Sequence, residues 1–342
     1  MEHLRHICFF LSLIMAFTLN GCTLKKEPIS KSGFFMGTIV NITLYDKPNE
    51  NILDEAFKKI SNIENKLSLN IASSEVNKIN EKAGLEAVSV SKETFDLIEA
   101  SIEYSKKSYG NFDVSIGPLV KLWGIGTPNA KVPTKEEISD TLKLINYENI
   151  ILNKEENSVY LKEKNMILDL GGIAKGYIAD IISEFLLSKG VSKAILDLGG
   201  NIFALGEKSK GESWTIGVQN PFENRGSPLG TLKVSNKSIV TSGIYERFLE
   251  FNGVKYHHIL NPKSGYPYDN NLSSVTIISS KSIDGDALST ATFGMGLSKG
   301  LDLINSLSYA EAIFVTKDRE IYLSDGIKND FTLMDTEFKI VN

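Results

Sequence analysis

The sequence predicts a single α+β domain in which mixed sheets are flanked by helices. Two intertwined lobes are the other arrangement that its length allows. The chain has 342 residues, of which 42% are hydrophobic and 23% are charged. That length supports one large core or two smaller ones, and that composition is typical of globular proteins. Helical and strand-like patterns alternate along the chain, and no change of composition divides it.

The N-terminal segment predicts export and attachment to a membrane. A short apolar run, ICFFLSLIMAFTL, follows the first charged residues. The run is too short to span a bilayer comfortably. Its length therefore indicates that residues 1–21 form a lipoprotein signal peptide. The letters LNGC end at Cys22 and resemble the lipobox of bacterial lipoproteins, in which the cysteine carries lipid after cleavage. The alternative is an uncleaved anchor with an incidental cysteine.

Three segments follow from this interpretation. Residues 1–21 are the signal peptide, residues 22–32 are the lipidated cysteine and a polar tether, and residues 33–342 are the folded domain. We therefore expect an exported protein that is lipid-anchored to the cell membrane and faces the extracytoplasmic side.

Charge and composition narrow the classes of ligand. The net charge is -5, so a broad basic surface is absent and no nucleic-acid partner is expected. Loss of residues 1–21 removes Cys8 and two of the four histidines, which leaves His257 and His258. A zinc site built from several His and Cys ligands is therefore excluded. A metal would be held mostly by oxygen, which favours Mg²⁺ or Ca²⁺.

The first half of the domain alternates strand and helix. Residues 34–46 have the β-branched and aromatic content of a strand. Residues 53–69 have apolar side chains at helical spacing, and a second helix is predicted over residues 92–109 with Ser91 as its N-cap. Residues 110–127 are predicted to form a loop with a short helix, because glycines and a proline interrupt them.

The second half is richer in strands. Two strands are predicted at residues 158–163 and 165–170, and a helix over residues 177–187 is ended by Gly190. The next strand is predicted at residues 193–198. The remainder of the chain is predicted to consist of strands and one further helix.

The six letters ILDLGG occur twice, at residues 167–172 and 195–200. In the first copy, a strand is predicted to end at Leu170 and a helix to begin near Ala174. The free N–H groups and the positive dipole end of that helix favour phosphate, and Lys175 adds a charge beside them. The same strand, glycine turn and helix also build an ordinary βαβ unit, so the pattern alone leaves both interpretations open.

Each copy also contains an aspartate in an apolar strand. A buried carboxylate needs a backbone cap or a polar ligand as its partner. Asp169 of the first copy is therefore a candidate ligand-binding residue, whereas Asp197 of the second is expected to cap its turn or the neighbouring copy. We expect the two copies to pair as neighbouring strands of one sheet, which would bring four glycines to one edge.

The stretch SIDGDALSTATFGMG suggests an oxygen-rich metal site. A helix is predicted around residues 286–307, and if it starts at Asp286, Thr290 lies one turn further on the same face. These two side chains, a carbonyl from elsewhere and phosphate oxygens would form the ligand set that Mg²⁺ prefers. On spacing alone, the letters also fit an ordinary N-capped helix with Asp284 at the cap.

A pair of histidines lies in YHHILNPKSGYP. In an extended strand the two side chains point to opposite faces, so at most one of them faces a site. His258 is the candidate general base. The alternative is that His258, like many histidines near the end of a strand, is a structural residue with satisfied hydrogen bonds.

Seven blocks of sequence occur in a characteristic order over residues 36–296. They are MGT, NFDVSIGPLVKLWGIG, ILDLGGIAKGYIAD, ILDLGGNI, TSGIYERF, HILNPKSGYP and DALSTATFGMG. These blocks resemble those of the ApbE family of FAD:protein FMN transferases, which are often exported lipoproteins. The resemblance implies binding of FAD and Mg²⁺. It also implies transfer of FMN to a threonine or serine hydroxyl of an acceptor protein, such as a subunit of a membrane redox complex, with release of AMP.

The resemblance further implies roles for individual residues. The metal would be bound by the carboxylate of Asp286, the hydroxyl of Thr290 and the main-chain carbonyl of Gly172. Flavin contacts are implied at Met36, Asn111, Phe112, Asp113, Asp169, Lys175 and Leu260.

The chemistry of phosphoryl transfer agrees with this set of residues. The reaction mainly requires positioning and charge neutralisation, which a metal, Lys175 and a helix N-terminus can supply. His258 or the metal-bound carboxylate of Asp286 would act as the general base. Two other functions remain open. One is Mg²⁺-dependent hydrolysis of the FAD pyrophosphate to FMN and AMP, and the other is a flavin-binding lipoprotein without turnover.

Overall fold

The computed structural model describes residues 27–342. The predicted signal peptide, Cys22 and the first residues of the tether lie outside the described residues. Within residues 27–342, no helix has both the length and the apolarity that a membrane crossing requires. The predicted α+β class is confirmed, since eight α-helices accompany a nine-stranded mixed sheet and three smaller sheets in this range.

The helices are distributed along the whole described chain. They are α1 (Glu50–Leu67), α2 (Glu75–Glu81), α3 (Lys92–Lys107), α4 (Gly117–Trp123), α5 (Lys135–Leu142), α6 (Ala174–Ser188), α7 (Ser282–Met295) and α8 (Leu297–Asn305). Two short 3₁₀ helices are also present, at Tyr147–Asn149 and Asp325–Ile327.

The strands are concentrated after α6. They are β1 (Ile29–Phe35), β2 (Thr38–Leu44), β3 (Val88–Ser89), β4 (Ile150–Asn153), β5 (Ser158–Leu161), β6 (Ala194–Leu198), β7 (Asn201–Leu205), β8 (Trp214–Gln219), β9 (Pro228–Val234), β10 (Lys237–Gly243), β11 (Phe248–Phe251), β12 (Val254–His257), β13 (Leu272–Ser279), β14 (Ala310–Thr316), β15 (Glu320–Leu323), β16 (Phe331–Leu333) and β17 (Lys339–Ile340).

The large sheet has the order β1-β2-β6-β7-β10-β13-β14-β15-β17. All of its pairs are antiparallel except β15 with β17. Helices α6 and α7 contribute to the main apolar core on one face of the sheet. The three-stranded sheet β16-β9-β8 covers part of the other face and encloses a second apolar core. The sheet is therefore covered on both faces, which is typical of a layered α+β domain.

Helix α1 forms as its apolar spacing predicts. Asn49 caps its start, because its side-chain oxygen accepts a hydrogen bond from the amide of Asn51. The side chains predicted to face inward are all buried, namely Leu53, Ala56, Phe57, Ile60, Ile63 and Leu67. Burial of this stripe holds α1 against the core, since a helix of this kind gains most of its stability from packing.

Two predicted elements have different boundaries in the structure. The strand predicted over residues 34–46 is a hairpin, in which β1 and β2 are joined at Met36 and Gly37, both with positive φ. Strand β1 begins at Ile29, so regular structure starts inside the segment predicted to be a tether. The predicted long C-terminal helix is two helices, because Gly296 has a φ of +79° and ends α7 before α8 begins.

The start of α7 also differs from the prediction. The helix begins at Ser282, so Asp286 lies in its second turn, and Asp284 lies in the first turn rather than at the cap. Asp284 instead accepts a hydrogen bond from the hydroxyl of Tyr104. The first amides of α7 are bound by another carboxylate, since Asp180 accepts hydrogen bonds from the N–H groups of Ser282 and Ile283 at 2.6 and 2.9 Å.

The two ILDLGG copies do not pair, and only the second is a strand. The second copy forms β6, which pairs with β2 and β7. The first copy is irregular and makes a single parallel bridge between Ile167 and Ile116. The side-chain amide of Asn80 bonds both the N–H and the carbonyl of Leu168. Contacts from distant parts of the chain therefore replace the predicted strand pairing of the first copy.

Candidate active site

Helices α6 and α7 approach closely at Gly176. A Cβ atom at Gly176 would lie 2.3 Å from the carbonyl oxygen of Ser282 and 2.8 Å from Cβ of Asp286. Contacts this short are not compatible with a side chain, so only glycine fits here. The close approach brings the first turn of α6 beside Asp286.

Asp286 is the buried carboxylate at this contact, with 4% of its surface exposed. Its Oδ2 accepts a hydrogen bond from the amide of Gly176 at 2.9 Å, and its Oδ1 lies 3.2 Å from Nζ of Lys175. A buried carboxylate needs such partners, and an amide and an ammonium group provide them here. Two specific contacts thus join Asp286 to residues that lie more than a hundred positions earlier in the sequence.

Thr290 and Gly172 lie beside this carboxylate. Thr290 is one helical turn after Asp286, and its Oγ1 lies 3.3 Å from Oγ of Ser242 on β10. A Cβ atom at Gly172 would lie 3.6 Å from the same Oγ1 of Thr290. The structure thus brings together Asp286, Thr290 and Gly172, the three residues for which the sequence analysis implied a metal.

The first glycine turn is held by Asp169. Its Oδ1 accepts a hydrogen bond from the amide of Gly171 at 2.7 Å. Burial raises the pKa of Asp169, while this hydrogen bond and the charges of Arg247 and Lys175 act in the opposite direction. Ile173, the N-cap residue of the following helix α6, makes no side-chain cap, and the first-turn amide of Gly176 is bound by Asp286. The start of α6 also carries the positive end of the helix dipole, which favours an anionic ligand beside Lys175.

The second glycine turn belongs to the end of the sheet beside Ser242. Asp197 Oδ1 accepts a hydrogen bond from the amide of Gly200 at 2.8 Å, which confirms the expected turn cap. Gly199 has a φ of +66°, and a Cβ on it would lie 2.1 Å from Oγ1 of Thr38. This turn joins β6 to β7, and β7 pairs with β10, which carries Ser242.

Phe112 connects the first glycine turn to a second loop. Its side chain is buried, and its Cε2 would lie 3.1 Å from a Cβ on Gly172. The neighbouring Asp113 uses both carboxylate oxygens within the protein: Oδ1 accepts from the amide and hydroxyl of Ser115, and Oδ2 accepts from the amide of Tyr147. Burial raises the pKa of Asp113. Asp113 therefore braces the loop, and a flavin contact there would involve its main chain.

Asn111 is fixed at the start of the same loop. Its side-chain amide donates to the carbonyl of Ser108 at 2.7 Å, and its own carbonyl accepts from the hydroxyl of Tyr268 at 2.8 Å. The loop that carries Asn111 and Phe112 is consequently held from two sides.

The last two predicted flavin contacts lie in different surroundings. Met36 occupies the β1–β2 turn, and its amide donates to Oε1 of Glu64 at 2.6 Å. Leu260 is buried in a separate apolar cluster with Leu119 and Trp123. Neither residue is hydrogen-bonded to the Asp286 group, so their flavin roles stay predictions.

His258 has a defined tautomer when it is neutral. Its Nδ1 lies 3.2 Å from the carbonyl oxygen of Arg247, which can only accept, so Nδ1 carries the proton and Nε2 is left as an acceptor. Burial, followed by the charge of Arg247, lowers the pKa of His258 to about 3. Lys175 lowers this pKa further. His258 is therefore neutral near pH 7, as a general base must be.

His257 has a structural role instead. Its Nε2 donates to the carbonyl of Tyr268 at 2.9 Å, and its Nδ1 accepts from the amide of Ile259 at 3.3 Å. Burial lowers the pKa of His257 as well. With both ring nitrogens used, His257 holds the turn after β12.

Sequence reasoning missed the roles of Ser242 and Arg247. Both lie in the block TSGIYERF, but a hydroxyl in a strand and an arginine after it carry no spacing that predicts these contacts. The signal that could have found them is their closeness to a predicted site in three dimensions, which depends on strand pairing.

The donor set at Asp286 fits Mg²⁺ only together with a phosphate-bearing ligand. Within residues 27–342, no group of three or more His, Cys, Asp and Glu side chains could hold a metal. The groups that lie near one another are the carboxylate of Asp286, the hydroxyl of Thr290 and the main chain of Gly172, whose carbonyl could supply the third oxygen. Mg²⁺ commonly binds through one or two carboxylates together with substrate phosphates and water, so this oxygen set is compatible with it.

Comparisons with known proteins show which family the chain resembles. The model of the ApbE family matches residues 36–314. A curated relative from Klebsiella pneumoniae, named FAD:protein FMN transferase, is 41% identical over 313 residues, which cover 92% of this chain and 97% of the relative. A relative of the same name from Treponema pallidum is 34% identical over 90% of each chain.

Solved structures show the same fold. The ApbE protein from Thermotoga maritima superposes with a TM-score of 0.81 at 32% identity, over 89% of this chain and 99% of that one. The flavin transferase ApbE from Vibrio cholerae superposes with a TM-score of 0.80 at 27% identity, again over 89% and 99% of the two chains. With its family model, its relatives and its fold in agreement, the chain belongs to the ApbE family.

Proposed function

We propose that this protein is an FAD:protein FMN transferase that uses Mg²⁺. It transfers the FMN half of FAD to a threonine or serine hydroxyl of an acceptor protein and releases AMP. The observation that carries this proposal is the convergence of Asp286, Thr290 and Gly172 beside the start of α6. The activity name of relatives that span nine-tenths of the chain supports it.

The residues that would hold the metal are Asp286, Thr290 and Gly172, through a carboxylate oxygen, a hydroxyl and a main-chain carbonyl. When bound, Mg²⁺ would neutralise charge on the diphosphate and polarise its phosphorus–oxygen bonds. Ser242 supports this arrangement, because its hydroxyl lies within hydrogen-bonding distance of both Ser289 and Thr290. Such outer contacts orient a metal ligand and tune its affinity.

The diphosphate of FAD would lie between the metal ligands and α6. Lys175 is a nearby cation, and the start of α6 adds the positive end of the helix dipole. In the transfer step, the acceptor hydroxyl oxygen forms a bond to the phosphorus of the FMN half. The bond from that phosphorus to the bridging oxygen breaks, and AMP leaves with the electron pair. Lys175 then stabilises the charge that develops on AMP.

His258 is the better of the two candidate bases. Its Nε2 is a free acceptor, whereas both carboxylate oxygens of Asp286 already have partners within the protein. The negative charge of a bound diphosphate raises the pKa of a nearby histidine, which would move His258 towards the range where a base works well. His258 would take the proton that the acceptor hydroxyl loses.

The flavin would be held by the residues around the two glycine turns. Phe112 and Asp169 contact or brace the first turn, and Met36 lies at the end of the sheet that carries the second. Asn111, Asp113 and Leu260, together with Lys175 at the diphosphate, complete the implied set. Their fixed hydrogen bonds and burial would present a rigid surface to the ring system.

The location that we propose is the extracytoplasmic side of the cell membrane. The apolar run before Cys22 and the lipobox-like letters support export and lipid anchoring. A lipid anchor would keep the enzyme near acceptors that are themselves in or at the membrane, such as a subunit of a redox complex. Labelling with a radioactive fatty acid, compared between the wild type and Cys22→Ser, tests the anchor.

One assay separates the three possible activities. The purified protein is incubated with FAD, Mg²⁺ and membranes from source cells that lack it, and the products are analysed by mass spectrometry. Covalent FMN on a protein together with AMP supports transfer, whereas free FMN and AMP without an adduct would mean hydrolysis. Tight FAD binding without AMP would mean a flavin carrier. Thr290→Val, which removes the hydroxyl at nearly constant volume, is the matched control and should lose the Mg²⁺-dependent reaction.

A further inference from the structure

A projecting β-hairpin joins two residues of the proposed site. Strands β11 and β12 form a two-stranded sheet that has no third strand within the described residues. Arg247 immediately precedes β11, and His258 immediately follows β12. The amide and Nδ1 of His258 both bond the carbonyl of Arg247, so the base of the hairpin is closed at the candidate catalytic histidine.

The tip of the hairpin is formed by Asn252 and Gly253. Both have positive φ, at 50° and 75°, as a tight turn with the twist of a hairpin requires. The cross-strand partners next to it are Phe251 and Val254, followed by Glu250 with Lys255 and Leu249 with Tyr256. The register is therefore continuous from the tip to the site.

One face of this hairpin is entirely apolar or aromatic. Side chains alternate between the faces of a strand, and direct partners share a face, so Leu249, Phe251, Val254 and Tyr256 lie together. We call these four residues the hairpin face. The opposite face is more polar and carries Glu250 and Lys255, with the ammonium group of Lys255 above the ring of Phe248.

The hairpin face is packed only at its inner end. There, the ring of Tyr256 lies 5.3 Å from that of Trp123, centroid to centroid, in the apolar cluster that also contains Leu260. At the outer end, Phe251 and Val254 are each 50% exposed. Because Phe251 and Val254 are direct cross-strand partners, their exposed area is contiguous, and contiguous apolar patches mark sites of protein–protein interaction.

We propose that the outer hairpin face, formed by Phe251 and Val254, binds the segment of the acceptor protein that flanks its target hydroxyl. This inference rests on the proposed transfer to a protein. Transfer requires the acceptor hydroxyl to come close to His258, and the hairpin is continuous in sequence and in register with that histidine. An acceptor segment that brings its hydroxyl to His258 would lie beside the base of the hairpin.

The chemistry of the surface indicates what kind of segment it binds. The hairpin face offers apolar area, and the unpaired backbone groups along the edges of a two-stranded sheet can pair with an extended chain. The occupant is therefore an extended acceptor segment with apolar side chains on one face, next to its threonine or serine. None of the implied flavin contacts is Phe251 or Val254, so loss of the outer hairpin face should leave FAD binding intact.

The test uses the full-length enzyme and membranes from source cells that lack it. The initial rate of covalent flavin labelling is measured by in-gel flavin fluorescence after incubation with FAD and Mg²⁺. Phe251→Ser with Val254→Ser should label membrane proteins about tenfold more slowly, which corresponds to about 1.4 kcal/mol of lost transition-state stabilisation. The dissociation constant for FAD and the midpoint of thermal unfolding should match those of the wild type.

Two further variants separate docking from a general loss of exposed apolar surface. Phe251→Leu with Val254→Ile keeps the apolar face and should label at close to the wild-type rate. Leu187→Ser removes a side chain that is 53% exposed in the last turn of α6, about 18 Å along the helix from Lys175, and should also label normally.

The outcomes have different meanings. Normal labelling by the Phe251→Ser, Val254→Ser variant would overturn the docking proposal while leaving the transfer reaction in place. A loss of FAD binding in parallel with labelling would also overturn it, because the hairpin would then serve the flavin rather than the acceptor. Absence of covalent flavin with the wild-type enzyme would overturn both the transfer and the docking.

Discussion

Lys175 Nζ lies 3.2 Å from Oδ1 of Asp286, and this ion pair connects the first turn of α6 with the second turn of α7. The next amide along the chain, that of Gly176, donates to the other oxygen of the same carboxylate. One buried carboxylate is thus held by two consecutive residues of α6. The contact fixes the relative position of the proposed phosphate-binding helix and the proposed metal-binding helix.

Replacement of Lys175 should weaken both function and stability. Lys175→Met removes the charge that would lie beside the diphosphate, and it leaves Asp286 with only the Gly176 amide as a partner. We expect at least a tenfold weaker affinity for FAD and a loss of about 1–3 kcal/mol in the free energy of unfolding. Isothermal titration and urea unfolding measure the two effects. Lys299→Met on α8 is the control and should change neither, and an unchanged FAD affinity in Lys175→Met would refute the assigned role.

Two glycine substitutions should differ sharply in their effect on stability. Gly176→Ala forces a Cβ to within 2.3 Å of the Ser282 carbonyl, where both contacting groups are in helices, and should cost about 3 kcal/mol. Gly172→Ala meets Cε2 of Phe112 at 3.1 Å, which a small ring movement relieves, and should cost less than about 1 kcal/mol. Urea unfolding at pH 7 compares them. Equal losses would mean that α6 and α7 are not packed as described.

Ser242 should control the affinity for Mg²⁺. Ser242→Ala removes the hydroxyl that lies 3.3 Å from Oγ1 of Thr290, so the threonine is less well oriented. The Mg²⁺ concentration for half-maximal activity should rise about tenfold, with little change in FAD affinity. Thr241→Val alters the neighbouring residue of the same strand, which bonds Thr276 instead, and should leave the Mg²⁺ dependence unchanged. A similar Mg²⁺ dependence in the two variants would contradict this role of Ser242.

Substitution of His258 should affect the rate of transfer, whereas substitution of His257 should affect stability. His258→Gln should lower the rate of transfer by about 10²- to 10⁴-fold, as loss of a general base does, while FAD affinity is maintained. His257→Gln should mainly lower the free energy of unfolding, because His257 is bonded to Tyr268 and Ile259. Single-turnover assays and urea unfolding distinguish them. A His258→Gln enzyme with full activity would assign the base elsewhere.

The stability of the protein should depend on pH through Asp180. Burial raises the pKa of this carboxyl to about 6, above its value of about 3.9 in an unfolded chain. A raised pKa means that the folded state binds the proton more tightly. The contribution to stability is therefore full below about pH 4 and is lost as the pH rises through 6.

The variant Asp180→Asn isolates this contribution. The wild type should lose about 2–3 kcal/mol relative to Asp180→Asn between pH 4 and pH 7, since each unit of pKa shift corresponds to about 1.4 kcal/mol. Urea unfolding of both proteins across this range gives the difference. A difference that does not vary with pH would show that the pKa of Asp180 is not raised.

Local patterns predicted the helices better than the strand pairing. Apolar spacing was sufficient for α1, where every residue predicted to face inward is buried. The strand predicted for the first ILDLGG copy is wrong, because identical letters form strand β6 in one place and an irregular segment in the other. The difference comes from Asn80, whose side chain occupies the backbone groups of Leu168, and from the bridge between Ile116 and Ile167. Such partners are distant in sequence and leave no local signal.

At the site, too, local features could be predicted from the sequence and contacts between distant segments could not. The one-turn spacing of Asp286 and Thr290 was readable from the sequence, and so was the glycine turn that precedes Lys175. The part played by Ser242 was not readable, since it depends on β10 lying under α7. The tautomer of His258 depends on a hairpin that returns the chain to Arg247. Chemistry carried by one segment can thus be predicted, whereas contacts between segments require the fold.

The most direct test is a crystal structure of the enzyme with FAD and Mg²⁺. We predict a single ion, octahedral at about 2.1 Å from its ligands, bound by a carboxylate oxygen of Asp286, Oγ1 of Thr290, the carbonyl oxygen of Gly172 and the diphosphate. An ion bound away from these three oxygens, or a diphosphate that does not reach the start of α6, would contradict the account.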